Sequence, residues 1–250
     1  HFFGQSSFAT HCLCTERNVV KVSDEVSDEL FPLLGPLGCG LQTGAGAIVN
    51  VLQPCLGESV AVFGLGGSGL AAARALVAGG AEVLCADDKA ERLAAAESAG
   101  LATGDLAAAD FAGFDALLLA PGVPLTHPEP HWTAARATAA GIPIIGDIEV
   151  FDRERRARLP GMRLVAITGT NGKSTTTALL THLLTAMGEK VAMAGNIGRP
   201  ALDLDPETEI AVLEVSSFQI DLAPTLSPDI GALLNVSYDH VDRHATFEAS

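Results

Sequence analysis

The stretch Val165-Ala166-Ile167-Thr168-Gly169-Thr170-Asn171-Gly172-Lys173-Ser174-Thr175 decides the reading of this chain. It opens as a short apolar run of the kind that forms a buried strand. Glycines then break the run, and Lys173 starts a helical pattern that continues to Ala186. A strand that passes through such a loop into a helix presents consecutive backbone N–H groups at the helix N-terminus, where they can cradle phosphate. Lys173 can reach the β and γ oxygens, and Ser174 can ligate Mg²⁺. The spacing departs from G-x-x-x-x-G-K-[ST], because Ile167 stands where the first glycine would be. The residues expected to hold a nucleotide triphosphate are Gly169, Thr170, Asn171, Gly172, Lys173, Ser174 and Thr175.

The same strand–turn–helix rhythm extends in both directions. Before it come strands at Ser59–Phe63, Ala81–Ala86, Ala116–Ala120 and Ile142–Ile145, with helices at Leu70–Ala78, Lys89–Ala99 and Thr133–Ala140. After it come strands at Lys190–Ala194, Ile210–Val215 and Ile230–Asn235. Apolar runs of four to six residues without alternation are the mark of parallel strands covered on both faces. The expected fold class is α/β: a Rossmann-like, doubly wound parallel sheet over residues 58–150, then a P-loop-type ATP-binding α/β domain over 163–250. That second domain reads as truncated, since the chain stops at Ser250 within polar sequence. The charged run Asp152–Arg158 reads as a solvated helix end and linker over 151–162, or else as a basic phosphate-binding patch. Residues 1–57 form a separate N-terminal segment of mixed texture.

Within the first sheet, Gly64-Leu65-Gly66-Gly67-Ser68-Gly69 follows a strand and opens a helix. Such glycines allow a tight turn and let the backbone approach a pyrophosphate. An acid about twenty residues on binds a ribose in nicotinamide enzymes, and Asp87 or Asp88 sits there. The pattern indicates a nucleotide diphosphate without saying which; glycines serving only helix–sheet packing are the plainer reading. In the second sheet, Leu213-Glu214-Val215-Ser216-Ser217-Phe218-Gln219 puts an acid at a strand's C-terminal end beside the phosphate loop, where a metal-binding carboxylate belongs. Asp239, His240 and Asp242, after a further strand, could serve a second metal or simply be turn residues.

Composition narrows the function further. The 250 residues carry 30 acids against 15 Lys and Arg, a net charge of −15. That excess excludes general affinity for nucleic acid or anionic lipid, though backbone N–H groups can still hold an anionic small molecule. Hydrophobic residues make up 48% of the chain, which argues against disorder. No apolar run is long enough for a transmembrane helix, so no membrane insertion is expected. The start, His1-Phe2-Phe3-Gly4, lacks Met and a signal core, and reads as a missing beginning. Cys12, Cys14, Cys39, Cys55 and Cys85 are odd in number and include no CxxC pair, which suggests a reducing, cytoplasmic compartment. Cys12-Leu13-Cys14 has no second pair with which to hold a metal.

Taken together, these motifs resemble the Mur ligases, ATP-dependent amide-forming enzymes of peptidoglycan precursor synthesis. Thr168–Thr175 matches their ATP loop. Gly195-Asn196-Ile197-Gly198, Glu214–Gln219 and Asp239-His240-Val241-Asp242-Arg243 match three further blocks in order. With Ala120-Pro121-Gly122-Val123 and the dinucleotide-like first domain, the chain is similar to the D-glutamate-adding branch over about residues 59–250. The resemblance implies ATP and Mg²⁺ as cofactors, and UDP-N-acetylmuramoyl-L-alanine and D-glutamate as small-molecule substrates of a monomer. It implies Lys173, Glu214 and His240 as catalytic residues, with Ser174, Glu214 and His240 at the metal. Leu65, Gly66, Gly67, Ser68, Gly69, Asp87, Asp88, Lys89, Pro121 and Gly122 would surround the uridine diphosphate, and Asn196 and Ser216 would face the sugar nucleotide. The family's carbamylated lysine and its D-glutamate-binding third domain fall beyond Ser250, so complete turnover is not expected of this chain.

Residues 1–60 resemble something else, the zinc-dependent medium-chain alcohol dehydrogenases of aryl-alcohol type. The residues that carry this are Gly4–Ala9, Glu16-Arg17-Asn18 and Gly35-Pro36-Leu37-Gly38-Cys39-Gly40-Leu41-Gln42-Thr43-Gly44. It implies a chimera joined around residues 57–66. Cys39 matches one zinc ligand of that family, but a catalytic zinc needs three protein ligands and the others are absent. The corresponding alternative function is an NAD-dependent oxidoreductase built on Gly64–Gly69. The Lys173 loop and Glu214 speak against it, because a dehydrogenase has no use for an ATP site.

Overall fold

A computed structural model describes residues 58–237. Two sheets, each of four parallel strands, lie within one compact unit. The first contains β1 (Ser59–Phe63), β2 (Glu82–Ala86), β3 (Ala116–Leu119) and β4 (Ile144–Ile145), in the order β2-β1-β3-β4. The second contains β5 (Arg163–Thr168), β6 (Val191–Gly195), β7 (Ile210–Glu214) and β8 (Ile230–Leu233), in the order β6-β7-β5-β8. Helices α1 (Gly67–Ala78), α2 (Ala90–Ser98), α3 (Trp132–Ala140), α4 (Asp147–Arg158), α5 (Lys173–Ala186) and the short α6 (Ser217–Asp221) connect them.

Alternate residues of β1 show how the first sheet is covered. Val60 and Val62 face α1 and pack with Leu65, Ala72 and Leu76, while Ala61 and Phe63 face the other way, toward Phe111, Ala134 and Ala137. Helices on both faces are what continuous apolar strands require. In both sheets the chain turns away from β1 and β5 to opposite sides, since β1 lies between β2 and β3 and β5 lies between β7 and β8. A crevice opens at such a switch point, outside the C-terminal ends of the strands.

The segment 151–162, expected as a linker, is mostly the C-terminal half of α4. Arg156 and Arg158 are exposed, as a solvated helix end requires, but not all of its charges are. Glu149 and Asp152 are fully buried and Arg155 nearly so. Glu149 accepts from the Thr225 N–H at 2.9 Å and from Arg153 at 2.7 Å. Asp152 accepts from the Ser227 N–H at 2.9 Å and pairs with Arg155 and Arg156 at 2.9 and 3.1 Å. Arg155 also donates to Met162 O and Ser227 O, each at 2.9 Å. The polar stripe at 149, 152, 155 and 156 therefore ties α4 to the loop 225–229, and Ile148 and Phe151 join the core of the second sheet. An exposed arginine run and a buried one look alike in sequence; only the acids at helical spacing distinguish them.

Candidate functional site

The phosphate loop joins β5 to α5, whose observed bounds coincide with those expected from sequence. Gly172 is the N-cap and no side chain caps the helix, nor does its first turn carry an acid, so its leading N–H groups are available to an anion. The loop is held from outside by residues that follow β8. Asn235 accepts the Thr170 N–H at its carbonyl and the Asn171 N–H at Oδ1, both at 2.9 Å, and donates Nδ2 to Asn171 O at 2.9 Å. The Ser237 N–H donates to Thr170 Oγ1 at 3.0 Å. Sequence reading missed both residues; the signal was the abrupt polar pair just after an apolar strand. Lys173 folds back so that Nζ donates to Gly169 O at 2.6 Å and Thr170 O at 2.9 Å. Its cation thus lies over the loop, against two backbone carbonyls. Ser174 and Thr175 are exposed on the first turn of α5.

Glu214 ends β7, between the phosphate-loop strand and β6: its register partners are Ile167 and Gly195. Its side chain is 2% exposed. Oε1 accepts from Asn196 Nδ2 at 3.1 Å, whereas Oε2 is buried and has no partner. Gly195 explains how the neighbouring chain comes so close, since at φ +103° any Cβ would run into the Glu214 carbonyl oxygen. A buried carboxylate oxygen without a protein partner, on the strand beside this loop, is a hard-oxygen donor of the kind Mg²⁺ takes, so Glu214 fits the metal. Asn196, expected at the sugar nucleotide, orients Glu214 through both its amide and its backbone N–H, the latter at 2.8 Å from Glu214 O.

Ser216 caps α6 in a reciprocal box: its Oγ accepts from the Gln219 N–H at 3.3 Å, and Gln219 Oε1 accepts from the Ser216 N–H at 3.1 Å. Its hydroxyl is thus committed to the helix start. His240 lies outside the described residues, as do Asp239 and Asp242.

At the first sheet, Gly64 (φ +97°) bonds to Ala86 O at 3.1 Å, and a Cβ on it would stand 2.5 Å from Ala120 Cβ. Only glycine lets the turn after β1 touch the loop after β3, which carries Pro121 and Gly122. Gly66 and Gly67 open α1 with no side-chain cap, and no atom lies within 4 Å of a notional Cβ at either, so a ligand could approach the backbone there. Ser68 and Gly69 continue that first turn. Leu65 contributes only backbone, its side chain being in the core. Asp87 is bonded to the turn itself. Oδ2 accepts from the Leu65 N–H at 2.6 Å and Arg92 at 3.2 Å, and Oδ1 accepts from the Lys89 N–H at 2.8 Å. Burial would raise this carboxyl, but the Lys89 and Leu65 N–H groups and Arg92 outweigh it and hold its pKa below the usual carboxylate value. Asp87 therefore shapes the turn, while Asp88 and Lys89 stay exposed beside it.

Known proteins can be set against this geometry. The family model described as the Mur ligase MurD-like N-terminal domain matches residues 58–146, and that of the Mur ligase middle domain matches residues 167–249. The UDP-N-acetylmuramoylalanine–D-glutamate ligase of Bradyrhizobium diazoefficiens is 59% identical over 192 residues, 76% of this chain and 41% of that protein. Its counterpart in Chelativorans sp. is 58% identical over 194 residues, 77% of this chain and 42% of that protein. This chain thus spans about two fifths of the length of these curated relatives. The crystal structure of a UDP-N-acetylmuramate:L-alanyl-gamma-D-glutamyl-meso-diaminopimelate ligase from Neisseria meningitides is 20% identical over 77% of this chain and 65% of that one, with a TM-score of 0.45, a likeness too loose to bear on function. The alcohol dehydrogenase resemblance concerns residues outside the described range, and neither it nor the NAD-dependent alternative is borne out by these matches. By its two matched domains, which together span most of residues 58–249, the chain belongs to the Mur ligase family.

Proposed function

We propose that this chain supplies the sugar-nucleotide and ATP sites of a ligase that joins D-glutamate to UDP-N-acetylmuramoyl-L-alanine, in the cytoplasm and as a monomer. On this reading the uridine diphosphate lies against Gly66–Gly69 at the first sheet, and ATP lies on Gly169–Thr175 at the second. The free N–H groups of α5 and the ammonium of Lys173 draw the triphosphate in. Lys173 exchanges its loop carbonyls for phosphate oxygens and meets the charge that develops as the muramoyl-alanine carboxylate attacks the γ-phosphorus. The products of that step are an acyl-phosphate and ADP; the amino group of D-glutamate then displaces phosphate to form the amide. Glu214, oriented by Asn196, would hold Mg²⁺ together with Ser174, and the ion would neutralise phosphate charge. His240 is assigned to the same metal site by its family motif. Asn235 and Ser237 keep the loop in its phosphate-ready shape.

The observation that carries the proposal is the buried Glu214 with its unanswered Oε2, on the strand paired with the phosphate-loop strand. The test is calorimetric titration of the chain with Mg·ATP, with ATP in EDTA, and with UDP-N-acetylmuramoyl-L-alanine, NADH serving as control. Binding of Mg·ATP and of the sugar nucleotide, with ATP affinity falling in EDTA and no NADH binding, is the expected result. NADH binding without sugar-nucleotide binding would overturn the assignment of the first sheet. ATP affinity indifferent to EDTA would overturn the assignment of the metal.

A further inference from the structure

His131 stands where the loops of the first sheet converge, and nothing above gives it a task. It is the N-cap of α3: Nδ1 accepts from the Thr133 N–H at 3.4 Å and lies 2.8 Å from Thr133 Oγ1. A backbone N–H can only donate, so the neutral ring must carry its proton on Nε2. The imidazole lies over Phe63, centroids 4.4 Å apart and planes at 34°, and Trp132 meets Phe63 edge-on at 5.8 Å. Phe63 is the last residue of β1, immediately before Gly64. The His131 N–H donates to Pro124 O at 2.9 Å, in the loop that carries Pro121 and Gly122. The third neighbour is Asp88, whose charge acts on the ring. Turn, acid and loop thus meet at one half-buried imidazole, held by a cap on one side and an aromatic ring beneath. Burial pulls the ring's pKa down more than Asp88 raises it, which keeps it neutral near pH 7.

We propose that His131 reads the base of the bound nucleotide, donating Nε2–H to the C4 carbonyl oxygen of uracil and rejecting cytosine, which carries an amino group there. This rests on the reading of the first sheet as a uridine-nucleotide site. Against cytosine the Nε2–H would face a second donor, leaving both without an acceptor. The ring is fixed by Thr133 and Phe63 before any ligand arrives, so little conformational freedom is lost on binding.

The test is titration of UDP and of CDP into the chain and into His131→Asn and His131→Phe. Asn keeps a capping oxygen for α3 but is shorter than His, while Phe keeps the stack on Phe63 but has no donor. Thermal melts establish that each variant is folded. The unsubstituted chain should prefer UDP by about 10-fold, and both variants should lose about 10-fold for UDP and little for CDP, so that the preference disappears. UDP binding whose strength and preference survive in His131→Phe would overturn the role of the donor. Absence of UDP binding by the unsubstituted chain would overturn the uridine reading itself, and this inference with it.

Discussion

Glu214→Gln separates what the second site needs for function from what the fold needs for stability. The carboxylate is 2% exposed, one oxygen has the Asn196 amide, and the other has nothing. Removing a charge that is buried and half-answered recovers part of its desolvation cost. The substituted amide keeps its oxygen for Asn196 and leaves one neutral N–H₂ unanswered in place of a charged oxygen. An unsatisfied neutral group costs about 1–3 kcal/mol and a charged one more, so the exchange should stabilise the metal-free chain by about 1–2 kcal/mol. For a unit of this size that corresponds to a rise in Tm of about 2–8 °C. Differential scanning fluorimetry in EDTA measures it directly. The second half of the assay adds Mg·ATP: the unsubstituted chain should gain stability as ligand occupies it, while Glu214→Gln should gain little, because the missing partner of Oε2 was the ion. The reasoning is refuted if Glu214→Gln melts below the unsubstituted chain in EDTA and still responds fully to Mg·ATP. That pair of results would make Glu214 an ordinary structural acid.

Other substitutions probe the remaining parts. Lys173→Met should weaken Mg·ATP binding by about 10- to 100-fold by calorimetry, the worth of one or two charge-assisted hydrogen bonds, and leave sugar-nucleotide binding unchanged. Asp152→Ala should cost about 2–3 kcal/mol in urea unfolding, since it takes one carboxylate from the buried Arg155, which keeps Asp229, and leaves the Ser227 N–H without its acceptor, and a loss under about 1 kcal/mol would contradict the burial of that network. Asp147 is 3% exposed at the start of α4, and burial lifts its carboxyl above the usual 3.8, against weaker pulls from the α4 N–H groups and Gln219. The folded state then holds this proton more tightly than the unfolded chain, so stability should fall as pH rises from the ordinary Asp range through the folded value. Asp147→Asn should remove that decline, melting higher than the unsubstituted chain at pH 7 and no higher at pH 3.

Much of this architecture was legible because its strands are short, apolar and punctuated. Lys173–Ala186 and Ser59–Phe63 were read to the residue, for glycine marks their ends and nothing competes with the hydrophobic pattern. The strand after Ala81 was read one residue long, and the one before Gly146 two residues long, because apolar side chains continue into loops that the core also covers. The site was legible to the extent that backbone makes it: glycine loops and uncapped helix starts announce themselves. Side chains were harder. Asp87 and Ser216 carry the right chemistry for a ligand, yet each is committed to local backbone, Asp87 to the Gly64–Gly69 turn and Ser216 to the α6 cap. Short polar side chains compete for nearby N–H groups, and spacing cannot say which partner wins. Asn235 and Ser237 were invisible for the opposite reason, since they act on a loop more than sixty residues earlier.

The least legible feature, the buried stripe of α4, bears most on how the two sites of the proposed function would be held. Sequence reading makes residues 151–162 a linker, but Glu149, Asp152 and Arg155 fasten that stretch to the loop 225–229. The seam with the first sheet then falls one turn earlier. There the Gly146 N–H, just past β4, donates to Leu222 O at 2.7 Å, and a Cβ at Gly146 would stand 2.9 Å from Leu222 Cβ. Leu222 itself packs into the core of the first sheet with Phe63 and Phe111. The C-terminal edge of the first sheet is thereby joined to the helix that follows Glu214's strand by a tight backbone contact and an apolar plug. On the proposed function, a carboxylate held from one sheet attacks a phosphoryl group held on the other only if their separation is closely fixed, because misplacement by about 1 Å can cost 100-fold. A seam with glycine at its closest point and ion pairs on buried carboxylates behind it would provide that constancy, and accounts for Asp152 and Arg155 being buried where sequence alone suggests a linker.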